Sequence, residues 1–155
     1  MDDRCEGCEL RTGRREFLED AARMAFGMAA IRYGTGFRLP GLSTVHYPIP
    51  ATDGVTIDKK NQVILVRHQG KAYAFALSCP HQNTALKWRE EDHLFQCPKH
   101  KSQYDPVGTF LKGRATRNMD RLPILIEGKE LAVDVDHMFE SDKDPKGWAA
   151  AAVTL

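Results

Sequence analysis

Two short stretches hold soft metal-binding side chains at set spacings. Cys79-Pro80-His81 and Cys97-Pro98-Lys99-His100 each place an imidazole two or three positions after a cysteine, in the pattern C-x-H-x15-C-x2-H. Thiolates and imidazoles select zinc or iron–sulfur centres over magnesium or calcium. Two of each complete either a tetrahedral zinc site or a [2Fe–2S] cluster with mixed ligation. Zinc fingers keep their histidines together, whereas here each histidine travels with its own cysteine.

Four ligands at these spacings, with Pro80 and Pro98 directly after the cysteines, resemble the Rieske iron–sulfur family. The resemblance runs over about residues 55–135 and is strongest at 79–122. It implies that Cys79 and Cys97 bind one iron of a [2Fe–2S] cluster and His81 and His100 the other. Neutral imidazoles in place of two thiolates make the cluster less negative and easier to reduce, in a range of about −150 to +300 mV. Ser102 and Tyr104 match two positions that, in the family's quinol-oxidising members, donate hydrogen bonds to a bridging sulfide and to a ligand cysteine sulfur. Such bonds favour the reduced cluster and raise its potential.

Three departures stand beside the match. Thr84 and Lys99 occupy positions where high-potential members carry a disulfide that ties the loops together. Lys101 replaces the usual glycine after the last histidine, and the covering loop, 113–118, has no proline. Lys99, Lys101, Arg114 and Arg117 form either a positive rim around the cluster, suited to an acidic partner, or a solvated loop surface.

The ligand loops need strand ends to hold them. Gln62–His68 and Lys71–Leu77 read as strands around the turn at Gly70, with Tyr73, Phe75 and Leu77 on one face. Further short runs at 93–97, 108–111, 122–126 and 131–135 are separated by turn residues, including the hairpin turn Gly128-Lys129. The expected fold is all-β. The resemblance makes it a Rieske-type sandwich of antiparallel strands with a two-loop cluster-binding subdomain, preceded by an N-terminal helical segment. The expected organisation is an export signal or helix over 1–32, a Gly/Pro-rich linker over 33–54, the cluster domain over 55–138 and a tail over 139–155. The tail, with Trp148 and its alanines, either docks on a partner or packs back on the domain.

Arg14-Arg15 followed by Glu16-Phe17-Leu18 resembles the twin-arginine export signal. The apolar run behind it, Met24–Ile31, is far short of the roughly 20 residues of a spanning helix. The alternative is an amphipathic helix carrying two surface arginines. Cys5 and Cys8 are read first as incidental thiols of a tail, with a redox pair or half of a zinc site as alternatives, and Glu9 stands where haem attachment would need a histidine. His46, His68, His93 and His137 lack the neighbours of a second metal site.

The chain of 155 residues is sized for one domain that needs neither metal nor disulfide merely to fold. A net charge of +1 gives no bulk signal for nucleic acid. No Rossmann fingerprint, P-loop or nucleophile turn appears, and no residue is singled out as catalytic. The reading is therefore a Rieske electron-transfer subunit of an exported oxidoreductase or respiratory complex. It would pass single electrons from a quinol or partner enzyme towards a cytochrome c, at the periplasmic or outer face of the cytoplasmic membrane. Expected partners are cytochrome c, a quinol-oxidising cytochrome b subunit or the large subunit of a molybdenum oxidase. Membrane association would run through the N-terminal segment or the partner. The alternative is a cytosolic Rieske-type ferredoxin serving an oxygenase or reductase.

Overall fold

The computed structural model describes residues 43–155. The twin-arginine segment, Cys5, Cys8, the 1–32 helix and the start of the 33–54 linker lie outside the described residues. The fold is built from antiparallel strands, as the turn-punctuated short runs predict.

The centre is a hairpin, β3 (Val63–His68) and β4 (Lys71–Ala76), in register from Val63↔Ala76 to His68↔Lys71. Gln69 and Gly70 both take positive φ, 50° and 73°, the geometry that lets a two-residue turn follow the twist of the strands. Both faces of this hairpin are buried, and strand periodicity divides them. Ile64, Val66, Tyr73, Phe75 and Leu77 enter one core with Leu86, Phe95, Cys79, Cys97 and Tyr104. Val63, Leu65, Ala72 and Ala74 enter the other with Leu122, Ile124, Leu131 and Val133. The expected face of Tyr73, Phe75 and Leu77 is therefore the one that meets the Cys-His loops.

Three sheets result. The central one has the order β11-β4-β3-β2, with β2 at Gly54–Asp58 and β11 at Val153–Thr154. A three-stranded sheet joins β1 (Thr44–Pro48), β10 (Glu130–Asp134) and β9 (Ile124–Glu127) in the order β1-β10-β9. The third, in the order β5-β6-β7-β8, carries the Cys-His loops. Its strands are β5 (Lys87–Arg89), β6 (Leu94–Gln96), β7 (Gln103–Tyr104) and β8 (Phe110–Lys112).

One expectation changes, and one open alternative closes. Residues 44–48, read as part of a connector, pair with β10 over all five positions, because Val45 and Tyr47 supply alternate residues to a sheet edge. The tail packs back on the domain. Asp144 caps the short helix α1 (Pro145–Ala150) by accepting from the Gly147 N–H at 2.8 Å, and β11 then pairs with β4. Among the described residues, no helix is long and apolar enough to cross a membrane.

Arg121 fastens this tail. Its side chain is buried, donates to the carbonyls of Trp148 and Val107 at 2.8 Å each, and lies 3.6 Å from the centroid of the Trp148 ring. The Trp148 indole N–H donates to Met119 O at 2.7 Å. Burial pulls the guanidinium down to about 10, so it remains charged at neutral pH.

Candidate metal centre

The two cysteine loops close in the same way. In the first, Cys79 N–H donates to Thr84 O and Asn83 N–H to Cys79 O, both at 2.9 Å. In the second, Cys97 N–H donates to Ser102 O at 2.9 Å and Lys101 N–H to Cys97 O at 3.0 Å. Each loop reverses through a left-handed residue four positions after its cysteine, Asn83 at φ 50° and Lys101 at φ 60°. Asparagine is the commoner of the two in that region; a lysine there is strained relative to glycine. Two matching turns on neighbouring strand ends hold the two Cys-His stretches side by side.

The donors meet as two pairs. Cys79 and Cys97 are free thiols, almost wholly removed from solvent. Burial and the neighbouring Cys97 push the Cys79 thiol up. Burial also acts on Cys97, but the N–H groups of His100 and Lys99, with the Cys79 and Thr84 side chains, outweigh it and bring that thiol down. His81 and His100 are half-buried and turn the same nitrogen to each other, Nδ1 to Nδ1 at 3.1 Å. Burial, Arg114, His81 and Lys99 hold His100 below the ordinary histidine range. Among the described residues, no three His, Cys, Asp or Glu side chains converge on a position for a single ion. A thiol pair beside an imidazole pair matches the donor set of a two-iron centre better than that of one tetrahedral ion.

Two buried hydroxyls belong to the second cysteine loop and the strand after it. Tyr104 is fully buried, and its hydroxyl lies 3.4 Å from Cys79 Sγ. Burial and Cys79 both push the Tyr104 phenol up, so it stays protonated and able to donate. Ser102 is also fully buried, and its Oγ accepts from the N–H groups of Arg114 and Ala115 at 3.1 Å each. Both acceptor positions are taken, which leaves only the O–H to donate. Of the six expected residues, the structure sets Tyr104 against Cys79, His81 against His100 and Ser102 against the N–H groups of Arg114 and Ala115, while Cys97 closes the second cysteine loop.

The sequence profile of the Rieske [2Fe-2S] domain matches residues 48–125. The chain belongs to the Rieske [2Fe–2S] family. Its cofactor is a [2Fe–2S] cluster, and the donor set described above fits that group. Among curated proteins, a cytochrome b6-f complex iron-sulfur subunit from Synechocystis sp. is 31% identical over 88 residues, 54% of this chain and 46% of the relative. The ferredoxin component of the naphthalene 1,2-dioxygenase system from Pseudomonas aeruginosa is 31% identical over 97 residues, 57% of this chain and 88% of the relative. The chain spans about half the length of the cytochrome b6-f relatives it matches. The crystal structure of a cyanobacterial plasma membrane Rieske protein from Synechocystis superposes with a TM-score of 0.44 at 24% identity, over 52% of this chain and 83% of that one.

Some residues at the site were not singled out from the sequence. Gly113, read only as part of a loop without proline, is where that loop touches Ser102. Asp105 holds the β7–β8 turn by accepting from the N–H groups of Val107 and Thr109, at 3.0 and 2.7 Å. The Asp-Pro-Val-Gly turn signal contained that aspartate. The expected rim also needs a correction. Arg117 pairs with Asp120 through two 3.0 Å bonds and with Glu140 at 3.1 Å, so its charge is spent inside the domain. Lys99, Lys101 and Arg114 remain exposed around the loops.

Proposed function

We propose that this Rieske protein is the electron-transfer subunit of an exported oxidoreductase or respiratory complex, carrying single electrons from a quinol or partner enzyme towards a c-type cytochrome. The observation that carries the proposal is the Tyr104 hydroxyl 3.4 Å from Cys79 Sγ, beside a Ser102 hydroxyl left free only to donate.

In this reading Cys79 and Cys97 ligate one iron, and His81 and His100 the other. The cluster, when bound, takes up and releases one electron at a time. The chain's own residues set the terms of that exchange. Cys79 and Cys97 sit in the core, so water is kept from the sulfurs. Tyr104 and Ser102 donate to sulfur and favour the reduced state. His81 and His100 lie at the surface end of the site, where a partner reaches them and where a ring N–H can release a proton. The twin arginine supports export, and the partner would be a cytochrome c, a quinol-oxidising cytochrome b subunit or a molybdenum oxidase large subunit.

A ferredoxin role is the second reading. Thr84 and Lys99 remove the loop-tying disulfide, and the dioxygenase-system ferredoxin aligns over most of its own length. A redox titration followed by electron paramagnetic resonance at several pH values separates the two. A potential well above zero that falls at alkaline pH supports the quinol or cytochrome pathway. A potential well below zero and flat through neutral pH supports the ferredoxin. Fractionation of cells producing the full chain tests export: recovery only in the cytosol refutes it.

A further inference from the structure

We propose that the cluster-bearing tip docks electrostatically on the acidic face of a protein redox partner, through Lys99, Lys101, Lys112 and Arg114. The inference rests on the electron-transfer reading and specifies the chemistry of the partner. Three stretches build the tip: 79–86, 97–104 and 110–116. Together they contain these four cations and no aspartate or glutamate, in a chain whose overall charge is only +1. All four cations are exposed, and among the described residues none enters an ion pair. Arg117, just outside the tip, shows the contrast, since Asp120 and Glu140 neutralise it.

Lys101 adds an independent observation. It holds φ +60°, where glycine is unstrained and a lysine is not. A backbone cost accepted one residue from His100 is expected where the side chain's charge has a use. Leu111 is the one large apolar side chain exposed on the tip, so the surface suits a charged encounter better than burial in an apolar pocket. A one-signed field around the half-buried imidazoles would steer an acidic partner to the place where the electron leaves, and salt would screen it.

The test uses the reduced holoprotein, its cluster first established by electron paramagnetic resonance. Stopped-flow kinetics would follow its oxidation by two c-type cytochromes of matched potential, one with an acidic and one with a basic haem face. At low salt the acidic cytochrome should react at least about tenfold faster, with the gap closing as salt is raised. Lys101→Gly and Arg114→Gln should each slow the acidic pair several-fold, while Lys129→Gln, at the β9–β10 turn, leaves it unchanged. Lys101→Gly should at the same time raise the melting temperature, which separates charge from folding. Equal rates that ignore salt would overturn the proposal. So would tip-dependent binding to phosphatidylglycerol vesicles without discrimination between the cytochromes. Absence of a cluster signal would sink the electron-transfer reading itself, and the docking proposal with it.

Discussion

Gly113 and Ser102 meet backbone to backbone: a Cβ built on Gly113 would lie 2.3 Å from Ser102 Cα and 2.9 Å from its Oγ. Gly113 also holds φ +122°, a conformation that side chains rarely adopt. This contact seats the N–H groups of Arg114 and Ala115 on Ser102 Oγ. Gly113→Ala should therefore lift the third loop, at a strain of about 1–3 kcal/mol, and release the serine from both donors. The expected result is a lower melting temperature with partial loss of cluster. Iron and acid-labile sulfide per chain, measured beside thermal unfolding, check it. Full cluster occupancy at unchanged stability would contradict the close packing.

Asp58 ties the three-stranded sheet to the central one. Its carboxylate accepts from Tyr47 OH at 3.0 Å, Asn61 Nδ2 at 2.6 Å and the N–H groups of Lys60 and Asn61 at 2.9 and 3.1 Å. These donors, Asn61 foremost, hold the carboxyl below its ordinary value of 3.8. A carboxylate with a depressed folded-state pKa contributes stability that is fully present above the unfolded value and is lost as pH falls through the folded one. Asp58→Asn should thus destabilise at neutral pH and matter progressively less below pH 3.8. Melting temperatures of the two proteins should converge in acid. A constant gap across that range would show that the proton plays no part.

Arg121 tests the anchoring of the tail. Removing it leaves two half-buried carbonyls, of Trp148 and Val107, without their donor. Each orphaned acceptor costs about 1–3 kcal/mol, against which the variant regains the desolvation of a buried cation. Loss of the unpartnered Arg121 Nε adds to that gain, but the two orphaned carbonyls and the lost ring contacts together outweigh it. Arg121→Met should lose about 2–4 kcal/mol in urea unfolding. In a Trp88→Phe background, the red shift of Trp148 fluorescence should precede global unfolding as the tail detaches.

The Cys-His motif of the family and the central hairpin were legible because each is a local signal. Fixed Cys-Pro-His spacings name their own chemistry, and Val63–Ala76 shows alternation and a turn in one run. β1 was hidden because TVHYP sits among Gly and Pro residues, and its partner β10 lies more than eighty residues further along the chain. β5 and β7 have only three and two residues, too few for any period to show. Arg121 gave no signal in the sequence because arginine is seldom buried; only the rings of Tyr73, Phe75 and Trp148, distant in sequence, make its burial tolerable. Arg117 was read as part of an exposed rim because its carboxylate partner Glu140 lies after β10, more than twenty residues further along the chain.

Tyr104 and Ser102 offer the sharpest prediction about the centre itself. The Tyr104 hydroxyl lies 3.4 Å from Cys79 Sγ, and its buried phenol has Phe110 as an edge-on neighbour, ring centroids 5.8 Å apart. Tyr104→Phe keeps the ring and its packing and deletes only the O–H. A hydrogen bond to a charged acceptor is worth about 1.5–3 kcal/mol, and the redox change alters part of that. One tenfold step in a one-electron equilibrium is about 59 mV, so the potential should fall by about 60 mV. Ser102→Ala should lower it by a similar amount and, by freeing the N–H groups of Arg114 and Ala115, also cost some stability. The double variant should show the sum if the two hydroxyls act on different sulfurs. Potentiometric titration of the four proteins gives the answer. An unchanged potential in Tyr104→Phe, with the cluster intact, would mean that the hydroxyl does not act on the ligand sulfur. The reading of a high-potential electron carrier would then lose its principal support.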